Sequence, residues 1–405
     1  MSAIRPFRAL RPAPEAAASV ASVPYDVVST EEARALATGN PLSFLHVTRP
    51  EIDLPPGADP YGDEAYAQAV RAFEELKRAA PMVLDEQPSL YVYRLRMGGH
   101  EQTGIAGCFS VDEYDHDLIR KHEKTRRDKE DDRTRHMIEL RAQTGIVFLT
   151  YPASADIDAV VALVTAGEPL YDLTPGDGVR HTVWRAEGGH VEAIAREVAA
   201  LPALYIADGH HRAASASRAR VELKPQDGRA IEADTFIAVA FPDSQVQILA
   251  YNRIVKDLAG KTPEAFLEAL GRAMTVEPGG PVPARQGQVS MYLAGRWHTL
   301  ALPAPPAGAS RADGLDVEVV YRTVLAPLLG IGEIRTDKRV DFVGGIRGPQ
   351  ELERLVGEGR AAVAFSMFPV AIADLMAIAD AGGIMPPKST WFEPKLRDGL
   401  LVHLI

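Results

Sequence analysis

Leu204-Tyr205-Ile206-Ala207-Asp208-Gly209-His210-His211-Arg212-Ala213-Ala214-Ser215-Ala216-Ser217-Arg218 runs from a short apolar segment through one glycine into an alanine-rich stretch. Four apolar residues in a row fit a buried strand and the alanines favour helix, so the segment reads as strand, turn and helix start. That junction is the outline of an anion site. The unpaired N–H groups and positive dipole end of a helix N-terminus favour a phosphate. Gly209 lets the backbone approach a ligand closely, and Arg212 adds a forked cationic donor. A plainer reading stays open, in which Asp208 only caps the helix and His210 and His211 are ordinary side chains. Two adjacent histidines also invite a metal, but no third ligand stands at an established spacing, which disfavours zinc.

Working outward, Ile146-Val147-Phe148-Leu149 and the run 236–241 are further short apolar segments of buried-strand type. Residues 91–96 and 103–109 read as a hairpin turned at Gly98-Gly99. Ahead of them, Ala67, Val70, Phe73 and Leu76 predict a helix over 63–78, and Ser29 or Thr30 before Glu31-Glu32 marks a helix cap after Val23-Pro24-Tyr25-Asp26-Val27-Val28. The proline-rich intervals 278–283 and 303–306 read as linkers or loop boundaries around a β-like segment, 289–293, and a helix is expected over 316–329. No internal repeat is visible.

A second chemical signal lies at His122-Glu123-Lys124-Thr125, with Arg126, Arg127, Lys129 and Arg133 following. A carboxylate among this many cations stays ionised, which suits a base accepting a hydroxyl proton. The bland alternative for 120–141 is a solvated helix laced with i,i+4 pairs. It is no zincin motif, because position 126 is arginine where a second histidine is needed. A third segment, Met385-Pro386-Pro387-Lys388-Ser389-Thr390-Trp391-Phe392, could close over a polar ligand, with Lys388 meeting an anion and Trp391 excluding water. An ordinary strand with core-packed aromatics is the simpler account.

Composition bounds the function. With 405 residues, 46% of them hydrophobic, the chain can bury a large core, and length suggests two or three domains. A net charge of −11, from 55 acidic and 44 basic residues, gives no general field for nucleic acid. The single cysteine, Cys108, excludes an internal disulfide and suits a reducing compartment. Neither a signal-peptide core nor an apolar run of membrane-spanning length is found, so a cytoplasmic location is expected. The chain lacks the P-loop lysine motif, the glycine-rich dinucleotide turn and the nucleophile elbow, which disfavours P-loop kinases, Rossmann dehydrogenases and α/β-hydrolases.

Taken in order, Ile4-Arg5-Pro6-Phe7-Arg8-Ala9-Leu10-Arg11, the run 23–28, His122-Glu123-Lys124-Thr125, the run 207–212 and the run 379–390 resemble a bacterial family of unknown function. That family is similar to the free serine kinases, whose core belongs to the ParB/sulfiredoxin-like superfamily. The resemblance spans nearly the whole chain. It implies an α+β catalytic core with additional N-terminal and C-terminal α/β regions. The segments expected from it are an N-terminal region 1–95, the core 96–260, an inserted region 261–345 and a C-terminal segment 346–405 closing on the site.

The activity the resemblance implies is phosphoryl transfer from ATP or ADP to the hydroxyl of free L-serine or a similar hydroxy acid, with Mg²⁺. Glu123, paired with His122, stands where the kinase has its base; Asp208 would hold the metal or orient His210; Gly209, His210, His211 and Arg212 match the phosphate-binding turn. Lys388, Ser389 and Thr390 match the substrate side, with Trp391 beside them. The chain departs from the archaeal kinase in having Trp391-Phe392 where that enzyme continues with arginine and histidine, and in being much longer. Two rival readings are a ParB-like nucleotide-hydrolysing switch and a non-enzymatic small-molecule sensor. The partners expected are the nucleotide and the small acceptor, with no nucleic acid and no membrane.

Overall fold

The computed structural model describes residues 4–405 and resolves two compact units. One consists of the described part of Met1–Val246 together with Pro394–Ile405; the other is Gln247–Glu393. The chain is a mixed α+β protein with several sheets.

The first unit is built on a nine-stranded mixed sheet. Its order is Ile119–Arg120, Leu204–Asp208, Val147–Tyr151, Thr235–Pro242, His100–Ser110, Tyr91–Met97, Arg180–Arg185 and Tyr171–Leu173, with Ile4–Arg5 pairing on His100–Ser110. Leu204–Asp208 is antiparallel to Val147–Tyr151 and parallel to the short Ile119–Arg120, so the chain entering His122 runs beside the strand that ends at Asp208. The expected hairpin is present, as Tyr91–Met97 against His100–Ser110 with Gly98 at φ 57°. Within it, a side chain at Gly104 would put a Cβ 2.7 Å from the Ala240 carbonyl oxygen, so only glycine lets Thr235–Pro242 lie this close.

Helices cover this sheet through small residues. Ala213, Ala214, Ala216 and Ala219 of His210–Leu223 join Leu204, Ile206, Val147, Leu149 and Phe236 in one buried cluster, to which Arg127–Leu140 adds Met137. A second cluster, centred on Phe44, Phe73 and Val402, packs under a four-stranded sheet of Val83–Leu84, Ala9–Arg11, Val402–Leu404 and Ala142–Gln143. The helix expected over 63–78 forms as Asp63–Ala79, but its buried stripe is Ala65, Tyr66, Ala69, Ala72, Phe73 and Leu76. Ala67 is exposed and Val70 only half-buried, because the alanine-rich sequence admits more than one helical face. Ser29 is the cap of Thr30–Ala37, in a reciprocal pair with Glu32.

The second unit carries a six-stranded sheet in the order Thr275–Pro278, Arg296–Ala301, Gln288–Leu293, Val363–Ser366, Tyr251–Val255 and Val340–Gly344. The proline-rich intervals are thus loops between strands of one sheet rather than linkers. The helix expected over 316–329 is interrupted: Asp316–Val320 passes through a π-type turn, Tyr321–Leu325, into Ala326–Leu329. Pro327 explains the interruption, since it has no N–H to offer the preceding turn.

The two units divide the chain differently from the four expected segments. A boundary at 95/96 would cut the hairpin between Tyr91–Met97 and His100–Ser110, and one at 345/346 would separate Val340–Gly344 from the sheet it shares with Val363–Ser366. Pro394–Ile405 belongs with the N-terminal residues because Val402–Leu404 pairs with Ala9–Arg11 and Ala142–Gln143. Among the described residues no helix is long and apolar enough to cross a membrane.

Candidate functional site

The strand Leu204–Asp208 ends at Gly209, whose φ of 93° lies in the left-handed region, and the helix His210–Leu223 starts at once. The strand–turn–helix expected from the sequence is therefore present. Ser215 Oγ donates to the Glu130 carbonyl at 3.2 Å and Arg218 pairs with Asp131 at 2.5 Å, so this helix is tied to Arg127–Leu140. That tie fixes the preceding residues 122–126 over the helix start.

His122, Glu123 and His210 meet there. The two imidazole rings stand edge to face with centroids 4.4 Å apart, and the His122 amide donates to His210 Nε2 at 3.4 Å. His210 Nδ1 faces Glu123 Oε2 at 3.9 Å. With Nε2 accepting, the neutral ring carries its proton on Nδ1, the nitrogen turned towards the carboxylate. Both histidines are nearly sealed, at 2% and 4% exposure, whereas the Glu123 side chain is 36% exposed and can meet a ligand. Burial pushes the His122 ring down to about 4; burial and the neighbouring His122 push His210 well below its ordinary value. Both rings are therefore neutral near pH 7. His211 does not join them: its Nε2 accepts the Arg126 amide at 3.0 Å and so braces the end of the same loop.

The other side of the turn is ionic. Asp208 accepts from Lys395 Nζ at 2.8 Å and lies 3.8 Å from Arg212. Burial alone would raise this carboxyl, but Lys395 and then Arg212 overcome it and hold it below the usual carboxylate range. Arg212 is only 4% exposed, and its guanidinium donates to the Ile146 carbonyl and, at 3.0 Å, to Asp26. Its fork is turned to the protein's own acceptors and holds the 23–28 segment against the turn. Tyr25, next to Asp26, lies under the Arg133 guanidinium at 4.3 Å, and Arg133 pairs with Asp132 at 2.8 Å.

Asp398 belongs to this buried network and carries a pH signature. Burial pushes its carboxyl up to about 7; Arg212 opposes the rise and Asp26 adds to it, and Oδ2 has no hydrogen-bond partner. In the unfolded chain the group titrates near pH 4, about where a free aspartate does. The folded state thus keeps a proton that the unfolded state gives up, so the stability tied to this group is full below about pH 4 and is lost as pH rises to about 7. Asp398→Asn should flatten that fall. Urea midpoints of the two proteins compared at pH 5 and pH 7.5 check it, and parallel slopes would remove Asp398 as the cause.

Lys388, Ser389, Thr390 and Trp391 lie in the second unit. Lys388 takes a positive φ of 57°, its carbonyl accepts from the buried Arg253 at 2.9 Å, and its ammonium stands 5.4 Å from the Tyr251 ring centroid. Ser389 is buried and donates to the Pro386 carbonyl at 2.6 Å, while Thr390 is half-buried. Trp391 opens the strand Trp391–Glu393, sets its ring edge on Tyr251 and donates to Glu393 at 2.8 Å.

Sequence reasoning brought together Glu123, His122 and the 208–212 turn, and the structure places them side by side. It passed over Asp26, Lys395 and Asp398. Asp26 stood in a quoted motif, but nothing local shows that a buried arginine awaits it 186 residues on. Lys395 follows a proline in an unremarkable stretch and carries no local signal at all. The metal-capable side chains that join His210 come from residues 122 and 123, which no short spacing rule could reach.

Eight chains of known structure show a detectable likeness. Among them, a conserved hypothetical protein from Pyrococcus furiosus is 13% identical, with a TM-score of 0.38, 74% of this chain and 95% of that chain being covered. A C-terminally truncated SbnI from Staphylococcus aureus is 12% identical, with a TM-score of 0.40 and coverage of 74% and 87%. A free serine kinase in complex with AMP is 10% identical, with a TM-score of 0.35 and coverage of 73% and 92%. Likenesses this faint carry no argument about fold or activity. No curated protein matches the chain. Residues 4–319, well over half of the sequence, match the family described as "Protein of unknown function (DUF1015)", and the chain belongs to that family.

Proposed function

We propose that this protein transfers a phosphoryl group from ATP or ADP to the hydroxyl of a small acceptor, free L-serine or a similar hydroxy acid, in a core of the ParB/sulfiredoxin-like kind. The observation that carries the reading is the Glu123 carboxylate, partly exposed and 3.9 Å from the first residue of a helix that begins directly after the Gly209 turn. Phosphoryl transfer asks a protein mainly for positioning, neutralisation of the phosphate oxygens and a group that receives the acceptor's proton. The helix start offers N–H groups and its positive dipole end to the phosphates. Glu123 receives the proton from the acceptor hydroxyl, and the neutral His210, its Nδ1–H facing the carboxylate, orients it. The resemblance of His122-Glu123, of the 208–212 turn and of Lys388-Ser389-Thr390 to the free serine kinases supports the same assignment.

Two expected roles shift on this reading. Asp208 already accepts from Lys395, with Arg212 behind it, so cations of the protein stand where a magnesium ion on this carboxylate would have to be. The residues do not fit that ion, and no step is derived through it. Arg212 acts by holding Asp26 and Ile146 around the turn rather than by reaching a phosphate. Lys388, Ser389, Thr390 and Trp391 are proposed to recognise the acceptor, and a cytoplasmic location follows from the nucleotide requirement.

The test is to incubate the protein with ATP or ADP, magnesium chloride and a panel of hydroxy amino acids, and to look for a phosphorylated acceptor by mass spectrometry. O-Phosphoserine or a relative, formed only with nucleotide present, is expected. Nucleotide hydrolysis at a rate indifferent to every acceptor would point instead to a switch, and binding without turnover to a sensor.

A further inference from the structure

We propose that His122, Glu123 and His210 form a binding site for one divalent transition-metal ion of zinc-like ligand preference. One ligand atom from each side chain lies within 4.8 Å of the others, a grouping of two imidazoles and one carboxylate. That donor set suits zinc and its first-row neighbours and not magnesium, which prefers an all-oxygen shell. Three protein ligands leave a coordination position for water or substrate, the arrangement of a reactive rather than a structural ion.

A second observation comes from His122 itself. The ring is 2% exposed, and its Nδ1 has no hydrogen-bond partner. The other ring nitrogen is engaged by the Ile206 carbonyl. A buried imidazole normally satisfies both nitrogens, and one whose far N–H is anchored on a carbonyl presents a bare lone pair on the near side. This is how metal-bound histidines are held, the outer hydrogen bond fixing tautomer and ring direction.

Binding requires modest rearrangement. Tetrahedral ligands about 2.1 Å from zinc stand about 3.4 Å apart, so the three side chains must draw together by roughly 1 Å. Glu123 can supply most of this, since its side chain is partly exposed. At His210, ligation through Nδ1 shifts the ring proton to Nε2 and gives up the long 3.4 Å bond from the His122 amide. Such an ion ties up the Glu123 carboxylate, so metal and acceptor hydroxyl compete for it. The inference does not rest on phosphoryl transfer, with which it shares only these side chains.

The experiment titrates the full-length, chelator-treated protein with Co²⁺ in the absence of nucleotide. One equivalent should bind with the visible absorption of a low-coordinate Co²⁺ ion, and one equivalent of Zn²⁺ should abolish the signal. Glu123→Gln keeps the shape of a partly exposed residue, and it should weaken binding more than about 10-fold, well beyond experimental scatter. His122→Ala should do the same, with circular dichroism confirming that it folds. Absence of a stoichiometric signal overturns the site. So does Co²⁺ affinity unchanged in Glu123→Gln, which would place the ion on surface histidines instead. Neither result touches the search for a phosphorylated acceptor, so failure of this site and failure of the kinase reading are told apart.

Discussion

Glu123→Gln is expected to lower the rate of acceptor phosphorylation by on the order of 10²–10⁴-fold, the usual consequence of losing a base, while leaving the fold intact. The glutamine fills the same space but cannot hold a proton taken from a hydroxyl. The residue is partly exposed, and its neighbour His210 is neutral. The readout is initial rate at saturating nucleotide, with nucleotide affinity measured in parallel. A variant that keeps the parent rate removes Glu123 from the chemistry, and one that loses nucleotide affinity in proportion moves it to the binding step.

Arg212→Ala is expected to strike stability rather than nucleotide affinity. Removing this guanidinium strands the Ile146 carbonyl, leaves Asp26 without its 3.0 Å partner, and takes from Asp398 the cation that restrains its carboxyl. Breaking one partner out of a buried ion network costs about 3–5 kcal/mol. The first unit should therefore unfold at a visibly lower urea concentration, followed by far-ultraviolet circular dichroism. If the variant unfolds at the parent midpoint and instead binds nucleotide weakly, the arginine faces ligand after all.

The contrast between these residues shows what a sequence can disclose. The junction at 204–218 was legible because strand, glycine and helix start are each dictated locally, by apolar run, by φ and by alanine propensity. The hairpin at 91–110 was legible for the same reason. The direction of Arg212 was not, because an arginine after a glycine turn can face a ligand or the interior, and the choice is made by Asp26 and Ile146 from elsewhere in the chain. The four expected segments differ from the two compact units where prolines inside a single sheet resemble linkers, and where the return of Pro394–Ile405 to the first unit leaves no mark in composition. Histidine 122 could be read as a companion of Glu123, but its position against His210 needed the parallel pairing of Ile119–Arg120 with Leu204–Asp208.

That return has a bearing on synthesis. Lys395, the partner of Asp208, and the strand Val402–Leu404, which lies between Ala9–Arg11 and Ala142–Gln143, are all translated after Gln247–Glu393. A nascent chain can therefore lay down the 204–218 junction early, yet its aspartate stays without its lysine until the whole intervening unit has left the ribosome. Premature termination anywhere in that interval should release a polypeptide with an open sheet edge at Ala9–Arg11, a species for chaperones to hold or proteases to clear.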